Sequence, residues 1–253
     1  MTSLAQELKK ANINDYPIHL KVDTGMRRLG FESSEIDTVI SLISEKDEFK
    51  LASVFSHLAS TSDKDFTRIQ IDAFNAICTQ IEAKIKSTFL KHILNSSGIL
   101  NYPEAQFNMV RLGIGLYGIG DDNLLNCSSL KSVISQIKEV LPGESVGYNR
   151  SYYAEDKIRI AIIPIGYADG LNRALSNGVG QVYINDIAAP IIGNICMDMC
   201  MVDVSLLIAE EGDEVIVWDS QEHIHQIADS LNTISYEVLT NVSQRVKRVF
   251  VQD

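Results

Sequence analysis

The feature that most constrains this chain is a change of rhythm near its middle. Before about residue 120, short apolar runs alternate with stretches of helical periodicity. IHLKVD (18–23) precedes SSEIDTVISLISE, and LASVFSHL (51–58) precedes DKDFTRIQIDAFNAICTQIEAKI. FLKHILNSS (89–97) leads into a turn at Tyr102 and Pro103, and NMVRLGIGLYGI (108–119) is a fourth apolar run. Strand, helix, strand predicts parallel βαβ units. After about residue 125 the apolar runs crowd together, broken by Pro-Gly, Asn-Asp and single glycines: SVISQIKEV, IRIAIIPIGYADG, GVGQVYINDIAAPIIGNICMDMCMVDVS and DEVIVWDS. That pattern predicts antiparallel β, closed by a helix in HIHQIADSLN. The polar GDDNLLNCSS marks the boundary, giving an expected α/β unit over 1–122 and a β domain over 123–253. Four βα units are half of an eight-stranded barrel, which by itself takes about 250 residues.

Composition narrows the function. At 45% hydrophobic and 22% charged residues, the chain is neither disordered nor a disulfide-stapled miniprotein. No apolar stretch approaches the roughly 18 residues of a membrane span. MTSLAQELKKAN reads as an amphipathic helix, without the apolar core of a signal peptide, so a cytoplasmic location and no membrane partner are expected. A net charge of -11 makes nucleic acid a poor partner. The four cysteines are expected as reduced thiols, with Cys196 and Cys200 on one face of one buried strand. No zinc-like spacing joins them to His223 or His225, so no metal is expected.

In βα folds reactive groups gather at the carboxyl ends of strands. Here those ends carry Asp23-Thr24-Gly25 with Arg27 and Arg28, Ser56-His57, Asn95-Ser96-Ser97-Gly98, and Arg111 with Gly113, Gly115 and Gly118. Hydroxyl, amide and glycine-loop groups suit a phosphate. Arg28 and Arg111 suit an anion or a ring nitrogen. Each has an ordinary reading too. Lys21 could extend its stem along the strand, His57 could be a hydrogen-bonded core residue, and Asn95-Ser96 could cap a helix. Tyr148 and Tyr152 could be exposed loop residues, and Met197-Asp198 could be core and rim. Arg111, between Val110 and Leu112, resists such a reading because a buried arginine needs partners.

Together HLKVDTGMRRLGF (19–31), NSSG (95–98), MVRLGIGLYGI (109–119), VGYNRSY (146–152), IPIGYADG (163–170) and GNICMDM (193–199) resemble the alanine racemases, from about residue 17 to 250. The resemblance implies the second half of an eight-stranded α/β (TIM-type) barrel, strands five to eight, followed by an antiparallel β domain. It implies pyridoxal 5′-phosphate as cofactor, alanine as substrate for peptidoglycan precursors, and a homodimer. Tyr148 corresponds to the catalytic tyrosine, which serves the partner's site. Arg111 corresponds to the arginine facing the pyridine nitrogen, and His57 to the histidine beside the ring. Asn95, Ser96, Gly113 and Ile114 correspond to the surroundings of the cofactor phosphate. Arg28 corresponds to the arginine near the cofactor oxygen and the substrate carboxylate, Met197 to a backbone contact with that carboxylate, and Tyr167 and Asp198 to the entry channel. Lys21 corresponds to a lysine that is often carbamylated, which would let it pair with Arg28.

Two departures stand out. The family's Schiff-base lysine lies in a motif like VVKANAYGHG, and none of the 13 lysines here has that context. The expectation is therefore a chain without the N-terminal half of the barrel, inactive by itself and poorly soluble or oligomeric through its open edges. Near the C-terminus, Gln244 in VSQRVKRVF stands where a phosphate-contacting tyrosine is usual, as in racemase domains fused behind a cell-wall peptide ligase. The same motifs also serve racemases of serine, lysine or ornithine. A reading of another class is a non-catalytic remnant or partner-binding half-protein.

Overall fold

A computed structural model describes residues 1–251. The chain divides into two compact units between Leu116 and Tyr117. The first begins with helix α1 (Thr2–Lys10) and continues through β1 (Tyr16–Lys21), α2 (Ile36–Ser44), β2 (Phe49–Phe55), α3 (Lys64–Lys84), β3 (Leu90–His92) and α4 (Ser96–Asn101). Its three strands form a parallel sheet in the order β1-β2-β3.

The length and placement of α3 follow from its sequence. The Asp63 carboxylate caps it, accepting from the Phe66 amide at 3.0 Å. Thr67, Gln70, Ile71, Phe74, Ile77, Cys78 and Ile81 recur every three or four residues and are buried on one face. Against them and the α2 residues Ile36, Val39, Ile40 and Ile43 packs one face of the sheet, through Leu20, Val22, Val54 and Ile93. Alternate strand residues point the other way. That opposite face carries His19, Lys21, Ser53, Phe55 and His92.

Two expected strands change. The third is short: after His92 the chain leaves the ladder, and Asn95 caps α4 by accepting from the Gly98 amide at 2.9 Å. The fourth, over 108–119, does not form. The segment does run beside β3, with Asn108 N–H donating to Lys91 O and Arg111 N–H to Leu94 O. Those bonds fall three residues apart on each side, whereas a strand pairs every second residue, so no ladder propagates. A 3-10 turn over Ile114–Tyr117 follows.

In the second unit, β4 (Leu130–Val133), β5 (Gln136–Val140), β8 (Ile158–Ile163), β9 (Gln181–Ile184), β10 (Ile187–Ile192), β11 (Cys200–Asp203) and β12 (Glu214–Trp218) form an antiparallel sheet, ordered β4-β12-β9-β10-β11-β8-β5. Only Ile134 and Ser135 separate β4 from β5, yet these strands are the two edges. A flat seven-stranded sheet would hold its edges about 29 Å apart, and that link reaches about 10 Å. The sheet therefore curls back on itself. A two-stranded ribbon, β6 (Ser145–Val146) with β7 (Tyr152–Tyr153), carries Tyr148 in its connection. Helices α5 (Gln221–Ser230) and α6 (Ser235–Thr240) follow. Cys200 lies in β11, but Cys196 sits in the preceding turn, where its amide donates to Met199 O at 2.8 Å, so the two do not share a strand. Among the described residues no helix is long and apolar enough to cross a membrane.

Candidate functional site

In the first unit polar residues gather after β1, β2 and β3, together with Arg111, Gly113 and Gly115 from the segment 108–119, which forms no strand. After β1 the chain makes a closed loop. Asp23 N–H donates to Phe31 O, and Phe31 N–H to Lys21 O. Gly30, at φ +126°, lies so close to the Val22–Asp23 backbone that a Cβ would come within 2.8 Å of it. Asp23 Oδ1 accepts from the Gly25 and Arg27 amides, which holds its carboxyl below the usual range against the opposing effect of burial. Arg28 is exposed on this loop. Lys21 is half-buried, its ammonium 6.0 Å from the Phe55 ring centroid.

Arg111 is the centre of the cluster. Its Nη2 donates to Ser56 O at 2.6 Å and to Ile93 O at 3.2 Å, and lies 3.4 Å from His57 Nδ1. Its Nη1 donates to His92 Nδ1 at 2.5 Å and to His92 O at 3.3 Å. Among the described residues its Nε–H has no protein acceptor. Burial draws Arg111 below its usual range, but five acceptors at the guanidinium favour the cation, and arginine does not deprotonate in proteins. Burial, then Arg111, Arg28 and Lys21, push His57 down and keep it neutral at neutral pH. The three cations, like His57 itself, were singled out by sequence, and their charges act on its one ring.

Beside this cluster, Ser96 Oγ accepts from the Gly113 amide at 2.8 Å and the Gly115 amide at 3.2 Å. Its own O–H remains to be donated. Asn95 spends its side-chain oxygen on the cap, and Ile114 is buried in the turn that follows Gly113.

In the second unit, Tyr167, Met197 and Asp198 come together. Tyr167 N–H donates to Cys196 O at 3.1 Å and Ala168 N–H to Met197 O at 2.9 Å. Only glycine fits between these loops at 166, where a Cβ would lie 2.4 Å from Cys196 O. Asn194 donates from its side chain to Tyr148 O at 2.9 Å, which ties the Tyr148 turn to the same loop. The Tyr148 side chain is 68% exposed, and Met197 and Tyr167 are exposed beside that turn's anchor. Gln244 is exposed, and its neighbour Arg245 makes a two-pronged ion pair with the buried Asp169, at 2.7 and 3.2 Å.

Sequence reasoning missed three supports. Gln70, buried in α3, donates to His57 O and Thr24 Oγ1 and accepts from the Ala59 amide, so it pins the loop bearing His57. A glutamine on an apolar helical face was the available signal. His92 and Ser53 stand on the polar sheet face, hidden in runs that read as uniformly apolar. Asp169–Arg245 bridges 76 residues and left no local trace.

A family model described as the alanine racemase N-terminal domain matches residues 2–121, and one for the C-terminal domain matches residues 127–250. The first match corrects the expectation of a missing N-terminal half: the α/β unit is recognised as the family's N-terminal domain from residue 2 onward. An alanine racemase of Clostridium tetani is 36% identical, over 93% of this chain and 65% of its own length. One of Helicobacter pylori is 39% identical, over 92% of this chain and 67% of its own. The chain thus spans about two thirds of the length of these relatives. The solved alanine racemase of Bartonella henselae, with covalently bound pyridoxal phosphate, superposes with a TM-score of 0.86 at 30% identity, covering 99% of this chain and 70% of that one. On fold, site motifs and both domain matches, this chain belongs to the alanine racemase family.

Proposed function

We propose that this chain works as an alanine racemase, a pyridoxal 5′-phosphate-dependent isomerase that interconverts L- and D-alanine for peptidoglycan precursors in the cytoplasm. The observation that carries the reading is Arg111. Carbonyl oxygens and two histidines grip its Nη groups, while Nε–H is left with no acceptor among the described residues. A pyridine nitrogen fits that donor. Ser96 fits a phosphate oxygen, because two glycine amides occupy its lone pairs and its O–H is left to give. Gly113 and Ile114 would line the same phosphate, with Asn95 shaping the turn.

Bound pyridoxal phosphate supplies the electron sink that lets an α-proton leave. The chain's residues do the rest. Arg111 keeps its own proton, so its Nε–H would hold the ring nitrogen by a hydrogen bond without protonating it. Neutral His57 holds or accepts a proton next to Arg111. Tyr148 is the base on one face of the α-carbon, acting in the site of a second copy in a homodimer; its exposure suits that role. Arg28 binds the substrate carboxylate, with Lys21 as a carbamate orienting it; by the motif resemblance alone, the Met197 backbone is assigned to a carboxylate contact and Tyr167 and Asp198 to the entrance. None of the 13 lysines sits in the family's anchoring motif, so the second base is not assigned. We further propose that the three-stranded parallel sheet is part of a barrel wall, the barrel unit extending over 1–122 and the β domain over 123–253. The polar face of His19, Ser53 and His92, opposite the helices, supports this.

The test is deuterium exchange. The protein is given alanine precombined with pyridoxal phosphate in D2O, and loss of the α-proton is followed by NMR. The expected result is exchange faster than with cofactor alone, selective for one enantiomer, and lost in Tyr148→Phe. Equal rates with and without protein would refute it.

A further inference from the structure

The polar face of the parallel sheet holds two residues that the proposed reaction does not use. His19 in β1 and Ser53 in β2 are register partners, and His92 in β3 partners Phe55, two residues along. Ser53 Oγ lies 2.6 Å from His19 Nδ1 and 3.2 Å from His92 Nε2. Beyond His92 is Arg111, whose Nη1 is 2.5 Å from His92 Nδ1. Ser53 is 0% and His92 4% exposed.

Hydrogen-bond chemistry fixes the direction of this chain. Arginine only donates. His92 Nδ1 must therefore be bare, and the neutral ring carries its proton on Nε2. That N–H donates to Ser53 Oγ. Ser53 still has its own proton to give, and His19 Nδ1 is its one further partner among the described residues. His19 Nδ1 must then be bare as well. Were it protonated, Ser53 Oγ would face two donors and its own O–H would have no acceptor, a costly state at a fully buried atom. One proton arrangement satisfies every link.

We propose that Ser53 and His19 are positioning residues for Arg111. The directional chain Arg111→His92→Ser53→His19 holds the guanidinium in one orientation and keeps the bare Nδ1 of His92 turned toward it. The consequence for catalysis rests on Arg111 facing the cofactor ring; the polarity of the chain does not.

The test is long-range 1H–15N correlation of the histidine rings at neutral pH, on protein without added cofactor. The expected wild-type result is a single tautomer for both rings, with Nε2 protonated and Nδ1 bare in His92 and in His19. In Ser53→Ala, His19 should relax to a tautomer mixture. Solvent exchange of the Arg111 Nη protons should accelerate about fivefold, the loss of one modest hydrogen bond. Ser53→Thr, which keeps the hydroxyl, should restore both signals. A protonated Nδ1 on either ring of the wild type overturns the proposal even if no variant folds. So does an Arg111 exchange rate unmoved by Ser53→Ala. These readouts need no turnover: failed α-proton exchange with intact tautomers would refute the racemase reading alone.

Discussion

His92 should make the α/β unit acid-sensitive. Burial, reinforced by the neighbouring Arg111 and then His19, pulls its pKa from 6.5 to about 4. The folded ring refuses a proton that the unfolded chain accepts below about 6.5. Stability is therefore fully present above pH 6.5, falls as pH drops through the window to about 4, and levels off below it. The fall from 6.5 to about 4, at about 1.36 kcal/mol per tenfold change in proton affinity, gives a loss of about 3 kcal/mol. His57, lowered by burial and then by Arg111, Arg28 and Lys21, adds in the same direction. The perturbation that isolates His92 is His92→Gln. Its amide oxygen can accept from Arg111 and its NH2 can donate to Ser53, but nothing titrates. The substitution also removes the ring stacked on Phe55 at 5.1 Å, which lowers stability by a constant amount without adding a slope. Amide hydrogen exchange by mass spectrometry on the peptide covering β2, at several pH values from 7.5 to 4, reads the opening free energy of this unit alone. The expected result is a wild-type curve that falls more steeply than the variant's between pH 6.5 and 4. Parallel curves would refute the reasoning.

Three further outcomes follow from packing. Gly166→Ala puts a methyl 2.4 Å from Cys196 O, a backbone atom that cannot swing away. It should cost about 1–3 kcal/mol and lower the melting point of the β unit; Trp218, the only tryptophan, reports that unit by fluorescence, and an unchanged melting point would contradict the loop packing. Phe74→Ala empties the centre of the α3 face, where Phe74 is 0% exposed, and should cost about 3–5 kcal/mol by hydrogen exchange in β2; a loss below about 1 kcal/mol would mean α3 is not the core helix. Arg245→Lys cannot form the two-pronged pair with Asp169, so amides of residues 166–171 should exchange faster; unchanged protection would show that the pair does not hold the loop.

The legible parts of this molecule were those written locally. The α3 face repeats every three or four residues, and the Pro-Gly, Asn-Asp and glycine breaks mark the close strands of the β unit. Arg111 was conspicuous because a cation between Val110 and Leu112 demands partners. Where the reading failed, a non-local pairing decided the outcome. NMVRLGIGLYGI has strand composition, but its bonds to β3 fall three residues apart and no ladder forms. FLKHILNSS mixes a strand, a loop and a cap, and Asn95 resolves as the cap only once Gly98 folds over it. Ser53 and His92 lie in apolar-looking runs because a strand hides its second face in every other residue. Asp169 and Arg245 meet only through the tertiary fold.

The central claim is that the cluster around Arg111 and Ser96 is a cradle for pyridoxal phosphate. The most direct test is a binding titration with 4′-deoxypyridoxine 5′-phosphate, which keeps the ring nitrogen and phosphate but has no aldehyde to react with surface lysines. The expected result is saturable binding to the wild type, weakened about tenfold or more in both Arg111→Ala and Ser96→Ala, each removing a charge-assisted contact of about 1.5–3 kcal/mol. No saturable binding, or equal affinity in both variants and the wild type, would contradict it.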